Sequence, residues 1–405
     1  MSEASVGVYV HVPFCDRVCP YCDFAVVAGG VDAGMEARYV RALTRELAAR
    51  RARFAGRRLA SVYLGGGTPS LLTPDAVARL VGAVRDAFSE PASPCEPAPA
   101  VEVTLEVNPS TLERDRLPGF REAGVNRLSV GIQSFDDRVL KRLGRAHLAA
   151  EGRTTLEAAR AAGFGNLSLD LLFAAPGQTL AQLESDLRET VAFGPEHVST
   201  YELVVEAGTP FALADARGQL ERADADAAAD MVEAIDAALG SIGLAPYELT
   251  NYARAGRESV HNQRYWRREP VLGLGVGAWS SDPAGEGAPH GARRANTRSL
   301  PDYLARIERG DPAWVSEEVL TGSNARAETV FLSLRTRAGL DASRFVRWFG
   351  APPRAWYDDE ISELVGRGLL VESESGDLRV SPRGRLLTDL VCERFVEAAP
   401  EPPSD

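Results

Sequence analysis

The sequence predicts an α/β fold: a parallel sheet with barrel-like closure, followed by a small α+β module. Three observations carry this. Over the first 245 or so residues, six short apolar strands alternate with amphipathic helices, the pattern of consecutive parallel βαβ units. Residues with chemical potential fall just past those strands, where barrel proteins build their sites. Past residue 250 the pattern dissolves, then resumes as helices followed by a short hairpin. A doubly wound sheet would satisfy the same alternation and stays open as the fallback.

In chain order, strands are predicted at 7–12, 61–64, 101–106, 127–131, 167–173 and 197–203. Met35, Tyr39, Leu43 and Leu47 repeat every four residues and mark the first helix. Val77, Leu80, Val81, Val84 and Phe88 mark the next, with Thr73 as N-cap and Pro74 in the first turn. Leu180, Leu183, Leu187 and Val191 share one helical face, as do Met231, Ile235, Ala238 and Ile242. The Pro/Ala-rich stretch 91–99, which holds Cys95, is expected to be an inert surface loop. The segment 251–296 reads as irregular. Beyond about residue 316, helices near 326–336 and 358–366, a hairpin of 369–372 with 378–381 and a final helix over 383–395 resemble a winged helix.

Hydrophobic residues at 45% are enough for a sizeable core, and a net charge of −12 argues against a broad grip on nucleic acid or an anionic membrane. No apolar run is long enough to span a bilayer. The start, Met1-Ser2-Glu3-Ala4-Ser5, lacks the basic and apolar regions of a signal peptide, so a cytoplasmic location is expected. Of five cysteines, three crowd between positions 15 and 22, which points to metal binding rather than to disulfides.

That cluster is His11-Val12-Pro13-Phe14-Cys15-Asp16-Arg17-Val18-Cys19-Pro20-Tyr21-Cys22-Asp23-Phe24. Cys15, Cys19 and Cys22 stand at x3 and x2 spacing on one loop after the first strand, so a single loop can reach three corners of a cuboidal iron–sulfur cluster. Three thiolates for four irons would leave one iron open to an incoming chelate. The competing zinc knot needs four ligands, and His11 or Cys95 would have to complete it. Further along, Gly65-Gly66-Gly67-Thr68-Pro69 follows the second strand, where missing side chains let backbone approach a ligand. Glu106 ends the third strand and Gln133 follows the fourth. Asp170 sits inside the apolar fifth strand, which is costly unless it is paired or faces a wet pocket.

The Cys-x3-Cys-x2-Cys loop resembles the signature of the radical S-adenosylmethionine (SAM) superfamily. With Tyr9-Val10-His11, Gly65-Gly66-Gly67-Thr68-Pro69, Gly131-Ile132-Gln133-Ser134-Phe135 and Asp170-Leu171-Leu172-Phe173, the chain is similar to the family of oxygen-independent coproporphyrinogen III oxidase and HemW, from about Tyr9 to Phe395. The resemblance implies a partial (β/α)6 TIM-like barrel. It implies a radical SAM core at 1–245, a connecting segment at 246–315, a HemN-type C-terminal domain at 316–398 and a disordered tail at 399–405. It further implies a 4Fe–4S cluster on Cys15, Cys19 and Cys22, and SAM contacts from Tyr9, Gly66, Gly67, Thr68, Glu106, Gln133, Arg145 and Asp170. Tyr21 takes the aromatic position beside the adenine, and a flavodoxin or ferredoxin would supply electrons.

Within that family two branches compete. The oxidases carry a further cysteine where Phe24 stands and a long N-terminal extension; here eight residues precede Tyr9. Both features resemble the haem-carrying HemW branch, as does the His-Asn-x-x-Tyr-Trp motif at His261-Asn262-Gln263-Arg264-Tyr265-Trp266. The expectation is a haem chaperone with His261 as a tentative axial ligand and an unknown acceptor, and no catalytic residue is assigned. The alternatives are that the motif plugs the bottom of the core, with His261 on a backbone carbonyl, or that the chain is the oxidase, decarboxylating coproporphyrinogen III. A radical SAM enzyme acting on RNA fits the charge poorly.

Overall fold

The computed structural model describes residues 5–88 and 100–397, with the side chains of Thr111 and Glu397 excepted. The predicted connector with Cys95 and the tail at 399–405 lie outside the described residues.

Twelve strands form one sheet, numbered here in chain order: Ser5–Val12 (β1), Arg58–Gly66 (β2), Glu102–Val107 (β3), Arg127–Gln133 (β4), Leu167–Phe173 (β5), His197–Glu202 (β6), Ala245–Pro246 (β7), Asn251–Ala253 (β8), Val271–Leu274 (β9), Trp279–Asp282 (β10), Ala292–Asn296 (β11) and Trp314–Val319 (β12). Strands β1 to β6 lie side by side in sequence order, each parallel to the next. The doubly wound alternative requires a reversal of strand order, so it is excluded. On the far side of β1, β9 pairs parallel and β10 to β12 continue antiparallel; on the far side of β6 lie β8 and then β7. The sheet curls without closing, a partial barrel.

Alternation along each strand decides what faces where. On β1, Val6, Val8, Val10 and Val12 are fully buried against the surrounding helices. Each such side chain contributes roughly 1.5–3 kcal/mol. The intervening Gly7, Tyr9 and His11 point the other way. The rule repeats: Val103, Leu105 and Val107 against Glu102, Thr104 and Glu106; Leu167, Leu169 and Leu171 against Ser168 and Asp170. The barrel interior is therefore polar. This is the physical reason a carboxylate can stand inside the apolar run of β5.

The first predicted helices form at Ala33–Arg50 and Pro74–Ala87, and Thr73 caps the second by accepting from the Ala76 N–H at 3.3 Å. The segment 251–296 departs from expectation. It supplies β8 to β11 and the short helix Val260–Trp266, all of them too short to leave a periodic signal. That helix closes the base of the barrel. Glu102, the first residue of β3, accepts from the backbone N–H groups of Val260 (3.2 Å) and His261 (3.1 Å).

The C-terminal module has helices Gly322–Leu334, Ala342–Phe349 and Arg354–Gly366, the hairpin Leu370–Glu372 with Leu378–Val380, and the helix Thr388–Glu397. Its own core includes Val330, Phe345, Tyr357, Ile361 and Phe395. It is tied back through Arg385 to Asp236 and Tyr252, and through Arg268 to Glu328. Among the described residues no helix is long and apolar enough to cross a membrane.

Candidate cofactor site

At the C-terminal ends of β1 to β6 a cavity of about 590 Å³ opens. Its mouth is the cysteine loop. The loop is pinched where Phe14–Cys15 pairs parallel with Val27–Ala28, and Cys22 N–H bonds the Cys19 carbonyl at 3.1 Å. His11 braces it from beneath, Nε2 to the Ala25 carbonyl at 2.9 Å and Nδ1 to the Tyr9 hydroxyl at 3.1 Å. It is thus committed to a carbonyl and a hydroxyl rather than to a sulfur.

The glycine run after β2 lies flush against this loop. Gly67 N–H donates to the Val12 carbonyl and Thr68 N–H to the Phe14 carbonyl, both at 2.8 Å. A Cβ on Gly67 would stand 2.7 Å from the Phe14 carbonyl oxygen and 3.0 Å from Cys15 Sγ. Gly66, at φ 111°, would drive a Cβ into the His11 ring. Glycine is required here by contact and, at Gly66, by backbone conformation.

All three thiols line the cavity and none is in a disulfide. A chain of polar groups joins two of them. Thr68 Oγ1 lies 3.7 Å from Cys15 Sγ, and Asn108 Nδ2 donates to Thr68 Oγ1 at 2.7 Å. Arg145 then donates to Asn108 Oδ1 at 2.5 Å and to the Gly131 carbonyl at 3.0 Å, and its other terminal nitrogen lies 3.7 Å from Cys19 Sγ. Burial pushes the Cys15 thiol up to about 11 and raises Cys22 as well. A metal bound at these thiols would have to displace their protons. Soft sulfur donors on one loop, open to a cavity and flanked by the half-buried Arg145 guanidinium, fit an anionic iron–sulfur cluster.

Deeper in the cavity are two carboxylates. Glu106 accepts from the Tyr63 hydroxyl at 2.9 Å and the Gly66 N–H at 3.0 Å, and burial pushes it up to about 7. Asp170 accepts from Ser129 at 2.9 and 3.0 Å and from Ser168 at 3.3 Å; burial raises it too. Gln133 lines the wall at a bulge in β4, with φ 64°, a left-handed conformation rare outside glycine. Tyr21 lines the wall near Phe211, ring centroids 6.2 Å apart.

Every predicted site residue lines this cavity except Tyr9 and His261. Tyr9 is paired with Tyr63 in the middle of β1, its hydroxyl taken by His11 and its ring set against Tyr63 and His261. His261 lies at the other end of the barrel and is 1% exposed. Its Nδ1 bonds Ser61 Oγ at 2.9 Å and its Nε2 the Tyr265 hydroxyl at 3.1 Å, so neither nitrogen is open to an iron. In this arrangement the axial role expected of His261 meets no open ring nitrogen. The motif plugs the barrel base, and its histidine holds side chains rather than a backbone carbonyl. Tyr63, Asn108, Ser129 and Tyr201 also line the cavity and were not predicted. Asn108 carried a signal, standing two residues past Glu106 on the same strand end.

The radical SAM superfamily model matches residues 9–190, and the HemN C-terminal domain model matches residues 320–387. Heme chaperone HemW of Bacillus subtilis is 34% identical over 96% of this chain and 98% of its own length. Heme chaperone HemW of Haemophilus influenzae is 37% identical over the same shares. The bovine mitochondrial radical S-adenosyl methionine domain-containing protein 1 is 36% identical over 95% of this chain and 85% of its own. Among solved structures, coproporphyrinogen III oxidase (HemN) of Escherichia coli superposes with a TM-score of 0.80 at 24% identity, over 98% of this chain and 91% of that one. That likeness concerns the fold.

Proposed function

Because the chain belongs to the HemW family of radical SAM proteins, we propose that it is a haem chaperone with a 4Fe–4S cluster on Cys15, Cys19 and Cys22 and SAM in the cavity behind them. The observation that carries this is convergence: three thiols, the Gly66–Gly67 turn, Thr68, Glu106, Gln133, Arg145 and Asp170, drawn from five strands and the loops that follow them, line one cavity. Its volume of about 590 Å³ is within the range of small-molecule sites.

When bound, the cluster supplies one electron to the SAM sulfonium, and a flavodoxin or ferredoxin would replenish it. The residues divide the remaining work. Thr68 and Arg145 direct N–H and O–H donors at the sulfurs, which lowers the cost of their negative charge. Glu106 presents a carboxylate oxygen to the amino group of SAM. Asp170 and Gln133 are placed for the ribose hydroxyls, Gly66 and Gly67 let the ligand approach backbone, and Tyr21 offers a face to the adenine. Phe24, 67% exposed at the cavity rim, brings no fourth thiol, which favours carrier over oxidase.

Anaerobic reconstitution should yield about four irons and four sulfides per chain, and Cys15→Ser, Cys19→Ser or Cys22→Ser should each lose them along with SAM binding. The same preparation should shift the Soret band of added haem. A lone zinc without sulfide would overturn the cluster. Conversion of coproporphyrinogen III to protoporphyrinogen IX would favour the oxidase instead.

A further inference from the structure

The chain has five histidines, all within the described residues. Four are at most 5% exposed and have at least one ring nitrogen committed: His11 to Ala25 and Tyr9, His147 to Ile132, His197 to Ser168 and Tyr247, His261 to Ser61 and Tyr265. His290 differs. It is half-buried in the turn before β11, and neither ring nitrogen has a hydrogen-bond partner among the described residues.

His290 lines a cavity of about 310 Å³ between β10, β11 and the C-terminal module. Its ring packs on Phe349 with centroids 5.8 Å apart. Trp348 and the 38%-exposed Tyr265 also line the cavity, so the motif tyrosine ties its hydroxyl to His261 and turns its ring outward here. Trp348 and Arg268 also line a second cavity, of about 800 Å³. Three cations border the smaller cavity: Arg57, Arg268 and Arg293. Glu328 is shared by Arg268 and Arg293, while Arg57 Nε is shut off from solvent without a hydrogen-bond partner. In a chain of net charge −12, cations beside aromatic faces and one open imidazole suit a planar dicarboxylate that carries a metal.

We propose that His290 is the axial ligand of the haem cargo, with the macrocycle against Tyr265, Trp348 and Phe349 and its propionates toward the arginines. This rests on the haem-carrier reading. It also places cargo and SAM at opposite ends of the barrel strands.

The test is haem titration of the full chain with its cluster reconstituted, read by magnetic circular dichroism to separate haem bands from cluster absorption. His290→Ala should weaken haem binding about tenfold or more, since loss of a ligand costs at least as much as loss of its outer-sphere partner. It should also remove the imidazole signature while iron content and far-ultraviolet circular dichroism are kept. Added imidazole should restore the signature. A His290→Ala chain with unaltered haem spectrum and affinity would overturn the ligand assignment. Failure of the unaltered chain to bind haem would remove the carrier reading beneath it.

Discussion

Two carboxylates, one half-buried and one buried, show how position sets the role of a single residue. Glu106 has both oxygens occupied, by Tyr63 and by the Gly66 backbone, yet it still lines the cavity proposed for SAM. Glu106→Gln keeps the shape and removes the charge. A charge-assisted hydrogen bond is worth about 1.5–3 kcal/mol, so SAM affinity measured by equilibrium dialysis should fall about 10- to 100-fold. Glu113 is 1% exposed, accepts from Ser70 Oγ at 3.0 Å, and is pushed by burial up to about 7. A carboxyl raised in this way binds its proton more tightly in the folded chain than in the unfolded one. The stability it contributes is complete below its ordinary value of 4.5 and is lost as pH rises through 7. Glu113→Gln abolishes that titration. In urea unfolding, the variant should gain on the parent between about pH 5 and pH 8, by a few kcal/mol at most. A difference that stays flat with pH would show that Glu113 is not protonated in the fold.

The turn after β2 and the cysteine loop behave as one element, because backbone of one is in contact with backbone of the other. Gly67→Ala puts a methyl 2.7 Å from the Phe14 carbonyl oxygen, and backbone cannot swing aside as a side-chain tip can. The variant should fold, lose most of its iron on desalting, and bind SAM weakly. Gly82→Ala is the contrasting case, in the helix Pro74–Ala87 with nothing within 4 Å of the new methyl. It should raise stability by about 0.5–1 kcal/mol and leave iron content alone. If Gly67→Ala kept its full iron complement, close contact would not be what positions the loop.

For the whole molecule, the six parallel strands and the cysteine cavity were legible because their signals are local. Alternation marks each strand, spacing marks the loop, and chemistry-bearing residues sit where a barrel strand ends. Strands β9 to β11 were not legible, since Val271–Leu274 and Trp279–Asp282 are four residues each and carry no period. The helices Val260–Trp266 and Ala342–Phe349 are similarly brief. The bonding of His261 was hidden for another reason. Whether an imidazole is free depends on its neighbours in space, and Ser61 is 200 positions away along the chain. Likewise Tyr9 shares a strand with the cysteine loop's base, but which hydroxyls meet at mid-barrel is set by cross-strand register.

One strand reaches both ends of the barrel. β2 bears Ser61, which grips the His261–Tyr265 pair at the base, and five residues on it bears Gly66, beside Glu106 and the cysteine loop. The two compartments thus share a single rod of peptide. Whatever factor SAM applies to the retention of haem, haem must apply to the retention of SAM, because a thermodynamic cycle closes. Measuring haem affinity with and without SAM, and SAM affinity with and without haem, should therefore return the same ratio.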